Sequence, residues 1–272
     1  MKKSISRWAL PADWPLERCA AIARAAGFEA MELALDENGG DLNLLSGPDQ
    51  ASAVAAAIKK AGLEVASLAT MLFWKYPLSS RDEAVRERAT AVLGKMIELA
   101  PALKTDTLLV VPGMVDEQTP NEIAWQRSQE SIKSLLPAAA KAGVVLGIEN
   151  VWNKMLLTPL EMKWYIDEFR HPAVQAYFDV GNMLVSGYPQ HWIRILGSRV
   201  KRVHLKDFKL SVGNIEGFCD LLEGDVDYPE VMRALRDIGY DGYLTVEVFP
   251  RRHHPESLVH ASGRALDFIL GT

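Results

Sequence analysis

Short apolar runs alternate along this chain with longer stretches whose apolar residues recur at helical spacing. Four segments share one grammar: "ARAAGFEAMEL" ending at Leu33, "IKKAGLEVASL" ending at Leu68, "AAKAGVVLGIE" ending at Glu149, and "LRDIGYDGYLTVE" ending at Glu247. In each, an alanine- or leucine-rich helical pattern closes on a glycine suited to the left-handed position past a helix end, and an apolar strand follows at once. Further strand candidates are "SISRWAL", with Trp8 at its end, "TLLVVP" (Thr107–Pro112), "VQAYFD" (Val174–Asp179) and "VKRVHL" (Val200–Leu205). Helical patterns fill the intervals: Leu16–Ala26, Asp49–Ala61, Asp82–Ala100, Asn121–Ala142, Pro159–Phe169, Pro189–Leu196, Tyr228–Ile238 and Glu256–Leu270.

Eight strands alternating with eight helices predict a largely parallel sheet with right-handed crossovers. Closing that sheet gives an α/β fold, a single (β/α)8 TIM barrel over residues 1–272, close to the roughly 250 residues such a barrel takes. The competing open, doubly wound sheet lacks its glycine-rich phosphate turn: neither G-x-G-x-x-G nor G-x-x-x-x-G-K-[ST] occurs. No low-complexity linker divides the chain.

Composition narrows the partners. A formal net charge of −5 disfavours nucleic acid, because phosphate affinity rests on an excess of lysine and arginine. The 2 cysteines, Cys19 and Cys219, lie far apart and outside any CxxC pattern, so neither a disulfide framework nor a thiolate zinc site is expected. No apolar signal-peptide core and no membrane-length apolar run is present, which points to a cytoplasmic protein with no membrane partner.

The chemistry lies at the strand ends. In a barrel of this kind the C-terminal ends of the strands surround one mouth. Strand five ends "GIEN", strand six "YFDVGN", strand seven "RVHLKD" and strand eight "LTVEVF", presenting Glu149, Asp179, His204 and Glu247. Any one of these alone reads as a solvated loop acid or a satisfied histidine. Three carboxylates and an imidazole on consecutive strands need compensation, since each desolvated ion costs several kcal/mol unless paired or protonated. A divalent cation supplies it. Three oxygen donors and one nitrogen suit Mn²⁺ first, with Mg²⁺ or Co²⁺ also fitting and Zn²⁺ short of its common thiolate and multi-histidine sets.

The motifs "GIENVWN", "YFDVGNM", "VHLKDF" and "LTVEVF", in this order, resemble the sugar isomerase/epimerase superfamily with the xylose isomerase-like barrel. The resemblance covers the whole chain and is strongest from Gly143 to Pro250. Members include ketose 3-epimerases, L-xylulose-5-phosphate 3-epimerase, hydroxypyruvate isomerase and inosose dehydratase. It implies that Glu149, Asp179, His204 and Glu247 bind the ion and that Glu149 and Glu247 also move protons. The implied function is isomerisation or epimerisation of a keto sugar or sugar phosphate through a metal-stabilised enediolate. It also implies a homodimer or homotetramer. Two departures stand out. Asn182 replaces the histidine that follows the sixth-strand aspartate in epimerases of free sugars, and the arginine expected after strand seven has no match. Both count against a free-ketohexose epimerase.

Around the metal residues, Lys206 shares a strand face with His204 and is placed to hold a substrate hydroxyl or phosphate. Arg251, in "FPRRHHPE", lies where phosphate-binding barrels put their anion site, although no glycine-rich nest accompanies it. Trp8, Trp74 and Trp152 are candidates for an apolar wall against the sugar. Asn153 is expected to orient a hydroxyl or the Glu149 carboxylate, and Asn182 to contact substrate. Glu32 ends the second strand in this reading, either at the mouth or as a salt-bridged structural acid. Two competing functions remain: a lyase dehydrating a cyclic ketone such as inosose, and an AP endonuclease-like phosphodiesterase. The second needs histidines from early strands, whereas all 6 lie in the second half of the chain.

Overall fold

The computed structural model describes residues 1–272. Eight parallel strands form a closed barrel: β1 (Lys2–Ser6), β2 (Ala30–Asp36), β3 (Glu64–Ala69), β4 (Thr107–Val110), β5 (Val145–Glu149), β6 (Val174–Asp179), β7 (Val200–Leu205) and β8 (Tyr243–Val246). Closure is made by β1, where Ser4 stands opposite Ala30 of β2 on one side and Thr245 of β8 on the other. The outer layer comprises α1 (Leu16–Ala25), α2 (Pro48–Lys60), α3 (Leu72–Lys75), α4 (Glu83–Leu103), α5 (Asn121–Lys133), α6 (Leu136–Ala142), α7 (Pro159–Asp167), α8 (Pro189–Leu196), α9 (Tyr228–Asp237) and α10 (Pro255–Leu270). The expected TIM barrel is thus observed.

The four joints read from the sequence form as expected. Gly27, Gly62, Gly143 and Gly239 all have positive φ, between 69° and 87°, a conformation that costs glycine no Cβ clash. Each lets a helix stop and the chain turn directly into a strand.

Four boundaries differ from expectation. The first strand stops at Ser6, whose hydroxyl accepts from the Trp8 amide and opens a 3₁₀ turn over Arg7–Ala9, so Trp8 sits beyond the strand. The second strand runs on to Asp36, placing Glu32 at its middle rather than its end. The predicted helix Asn121–Ala142 breaks in two, because the Pro137 ring clashes with the carbonyl four residues back and has no N–H to donate. After β7 the chain adds a small antiparallel ribbon, Asp207–Phe208 against Phe218–Cys219, that no alternation in the sequence announced.

The barrel interior is polar at its N-terminal end. Buried Arg202 bonds Asp106 at 2.5 Å and the Ala66 carbonyl at 3.0 Å, with its guanidinium 4.9 Å from the Tyr243 ring centre. Lys2 pairs with Glu64 at 2.7 Å. Lys2, Glu64 and Asp106 are about half exposed, so these pairs ring the N-terminal rim while Arg202 reaches into the barrel.

Candidate metal centre and active site

Side chains on a strand alternate between its two faces, so the interior residues of β5, β6 and β7 are every second one. Glu149 and Asp179 are the last interior residues of β5 and β6, His204 that of β7, and Glu247 directly follows β8. The Glu247 amide continues the ladder by donating to Leu205 O at 3.0 Å, so its position is fixed as firmly as a strand residue's. Parallel pairing then sets neighbouring strand ends side by side, with Asp179 opposite His204. One ligand atom from each of the four residues lies within 4.8 Å of the other three.

The distances within the cluster are short. His204 Nδ1 lies 3.1 Å from Glu149 Oε1, 3.4 Å from Glu247 Oε2 and 3.8 Å from Asp179 Oδ2. Lys206 Nζ lies 2.5 Å from Glu247 Oε2 and 3.1 Å from Asp179 Oδ2. Its side chain reaches this place because position 181 is glycine: a Cβ there would sit 2.5 Å from Lys206 Cγ. Asn150 staples the ends of β5 and β6, donating to Asp179 O at 2.8 Å and accepting the Asp179 amide at 2.9 Å.

Burial and charge separate the carboxyls. Burial lifts the Glu149 pKa to about 7 against the pull of its His204 hydrogen bond. Burial also raises Asp179, with Lys206 opposing. For Glu247 burial is overcome by the charges of Lys206 and His204, which hold it well below the usual carboxylate value. For His204 desolvation, which would lower the pKa, is outweighed by Glu32, Tyr177 and Glu247, and the net shift is upward.

These residues fit a hard divalent cation. Asp179 Oδ2 is buried and accepts no aligned hydrogen bond, its charge being offset by the Lys206 ammonium at 3.1 Å and, more distantly, by His204 at 3.8 Å. Three carboxylate oxygens and one imidazole nitrogen lie within 4.8 Å of one another, a donor set that suits such an ion.

Glu149 and Glu247 open onto a cavity of about 550 Å³ whose wall also includes Trp8, Trp74, Trp152, Asn182 and Lys206. Those five sequence candidates are therefore brought together with the cluster. Trp152 is held there by donating to Asn182 O at 2.8 Å and packing on Phe208 and Phe218. Asn182 donates one N–H of its side-chain amide to Asn150 O at 2.9 Å, which fixes it at the wall and leaves its second N–H available.

Two candidates are not brought in. Asn153 donates to Gly113 O at 2.7 Å and accepts the Met155 amide at 3.0 Å, a turn-stabilising arrangement, and it lines a neighbouring open groove beyond Trp152. Arg251 pairs with Asp220 at 2.6 Å and with Ser257, outside the cavity wall. Both side chains satisfy local partners first, which their flanking sequence did not disclose.

Behind His204 lie Glu32, expected either at the mouth or as a salt-bridged acid and found paired with the histidine, and Tyr177 and Ser67, which the sequence did not single out. Glu32 Oε2 accepts from Tyr177 at 2.6 Å and Ser67 at 2.8 Å, and both its oxygens lie 3.1 Å from His204 Nε2. A signal existed: Glu32 interrupts an apolar run in "AMELAL", as Glu149 interrupts "VVLGIE". Tyr177 lies two residues before Asp179, hence on the same interior face.

The sequence profile of the xylose isomerase-like TIM barrel matches residues 20–268. The chain belongs to that family. An L-ribulose-5-phosphate 3-epimerase of Escherichia coli O1:K1 / APEC is 28% identical over 245 residues, covering 89% of this chain and 84% of that protein. Among solved structures, an L-ribulose 3-epimerase superposes with a TM-score of 0.83 at 21% identity, covering 99% of this chain and 94% of the other. A D-psicose 3-epimerase superposes with a TM-score of 0.82 at 19% identity over 100% of both chains. These likenesses fix the barrel, and the family match agrees with the strand-end motifs.

Proposed function

We propose that this chain is a divalent-metal-dependent epimerase of a keto sugar, inverting a carbon next to the carbonyl by removing a proton and returning it to the opposite face. One observation carries this: two glutamates that line a sugar-sized cavity belong to the same four-residue cluster whose ligand atoms lie within 4.8 Å of one another. The names of the curated relative and of the solved neighbours, all 3-epimerases, support it.

Glu149, Asp179, His204 and Glu247 would hold the ion, with Mn²⁺ our choice for this donor set. Bound there, it would supply Lewis acidity at the substrate's carbonyl and neighbouring hydroxyl oxygens. The proton work falls to the chain. Glu149 and Glu247 belong to the same cluster and both line the cavity, so one is placed to take the proton and the other to return it, the order being set by the substrate's stereochemistry. Trp8, Trp74 and Trp152 form an apolar wall against which the carbon face of a sugar packs and from which water is excluded.

Against the phosphate in the curated relative's name and the departure at Asn182, the side chains of the wall favour an unphosphorylated sugar. The wall's one cationic side chain, Lys206, is already paired with Asp179 and Glu247, and the wall carries Glu149, Asp220 and Glu247 besides. The ion would neutralise Glu149 and Glu247, but a phosphate would still find no unpaired cationic side chain on this wall. Arg251, the residue placed by sequence as an anion holder, is taken by Asp220.

Incubating the protein with Mn²⁺ in D₂O and ketopentoses, ketohexoses, their phosphates and inosose, followed by NMR, tests both parts. The expected result is deuterium at the reacting carbon together with an inverted product. Glu149→Gln and Glu247→Gln should each lower the rate by about 10²–10⁴-fold, the usual share of general acid–base catalysis, without unfolding the barrel. Exchange with none of these compounds would end the epimerase reading. Elimination from inosose would replace it with a dehydratase, and preference for the phosphates would overturn only the choice of an uncharged sugar.

A further inference from the structure

His204 has two ring nitrogens with different neighbours. Nδ1 faces the three strand-end carboxylates, and Nε2 points into the barrel at Glu32. Glu32 is fully buried, as is the histidine. Its carboxylate accepts the Tyr177 hydroxyl at 2.6 Å and the Ser67 hydroxyl at 2.8 Å, while both oxygens stand 3.1 Å from Nε2. Tyr177 also packs edge-on against the imidazole, with ring centres 4.5 Å apart.

An ionised carboxylate can only accept hydrogen bonds, so the nitrogen facing it carries the proton. With Nε2–H donated to Glu32, the Nδ1 lone pair is directed at Glu149, Asp179 and Glu247. Those groups are acceptors too. A lone pair aimed at three carboxyls is repulsive. In the ion-free protein a second proton, on Nδ1 and donated to Glu149 at 3.1 Å, relieves that repulsion, and a cation between the three carboxyls would take its place. Tyr177 and Ser67 fill the remaining acceptor sites of Oε2 and prevent Glu32 from turning toward another partner.

We infer that Glu32 is a positioning residue for the metal centre: clamped by Tyr177 and Ser67, it fixes His204 with its proton on Nε2 and offers Nδ1 as the ligand. This rests on the metal-centre reading above. A carboxylate in this place also raises the basicity of the ligating nitrogen, and removal of such a partner typically weakens metal affinity about 10–100-fold.

The test is Mn²⁺ binding, read from the electron paramagnetic resonance of the unbound ion, on the intact protein and on Glu32→Gln and Tyr177→Phe. Circular dichroism of each variant without metal establishes that it is folded. Glu32→Gln should bind Mn²⁺ about 10–100-fold more weakly. Tyr177→Phe keeps the ring and removes one clamp, so it should weaken binding by a smaller factor. In Zn²⁺-loaded, ¹⁵N-labelled protein, His204 should show a protonated Nε2 and a metal-bound Nδ1, and Glu32→Gln should disturb that signature. A residue needed only for folding would lower the melting temperature and leave both readouts of the folded protein unchanged. Affinity within about twofold of the parent in folded Glu32→Gln, or a protonated Nδ1 in the loaded parent, overturns the inference. Should Glu32→Gln not fold, unchanged affinity in Tyr177→Phe overturns it. Failure of the parent itself to bind Mn²⁺ would remove the metal centre, and the role of Glu32 with it.

Discussion

Glu149 shows how a single residue's surroundings set its chemistry. It ends an apolar strand and is buried, so without a cation its proton affinity rises until the pKa stands at about 7. His204, beside it, is also shifted upward. A metal ion needs Glu149 ionised and one imidazole nitrogen free, so uptake must expel the protons these groups hold. Mn²⁺ affinity should therefore climb with pH and climb most steeply below about 7, where Glu149 is mostly protonated. Calorimetry on either side of neutrality, in buffers of differing ionisation heat, would register the released protons; a pH-independent affinity would contradict the shift. At this scale the four members of the cluster were legible in sequence, because packing alone gives no reason to close a buried strand with a charged residue. The partners of Asn153 and Arg251 were not, since Gly113 and Asp220 are distant in sequence and adjacent only in space.

Among elements, the strands carry the site and the helices hold the strands in register. The joints between them were readable because a helix ending, a left-handed glycine and an apolar run are local events. Their packing was not. Gly263 in α10 lies against the Ala26 carbonyl at the end of α1, and a Cβ at that position would overlap the oxygen. That contact ties the last helix to the first, closing the outer ring where β1 and β8 close the inner one. Gly263→Ala should accordingly cost about 1–3 kcal/mol, the usual range for overpacking, through separation of these two helices. Urea denaturation would read the loss, and the catalytic parameters of the folded fraction should stay near those of the parent; unchanged stability would mean that α10 shifts freely on α1. The ribbon Asp207–Phe208/Phe218–Cys219 belongs to the same scale. Two-residue strands carry too little alternation to be read from sequence, yet this ribbon brings Phe218 and Cys219 to the cavity wall.

For the molecule as a whole, the cluster concentrates like charge at one end of the barrel. In the ion-free protein Lys206 and His204 act as internal counterions to Glu32, Asp179 and Glu247. That internal pairing lets the barrel stand without metal, in contrast to small domains that fold only around their ion. Saturating Mn²⁺ should still raise the melting temperature. At a free concentration 100-fold above Kd the folded state gains about 2.7 kcal/mol, provided the unfolded chain binds no ion. Scanning calorimetry with and without a chelator checks this, and a chelated protein that is unfolded at room temperature would refute the counterion argument. No helix is long and apolar enough to cross a membrane.

The sequence by itself determined the alternation of strands and helices, hence the barrel, and which four side chains stand at its mouth. These follow from periodicity and strand order, properties that survive without knowing any contact. Only the tertiary structure decided that Glu32 lies behind His204 rather than at the rim, that Lys206 fills the carboxylate pocket, and that Arg251 is turned away from it. Each of those outcomes is a choice among partners 31 to 172 residues apart, settled by the curvature of a closed sheet and by which neighbour satisfies a buried charge first.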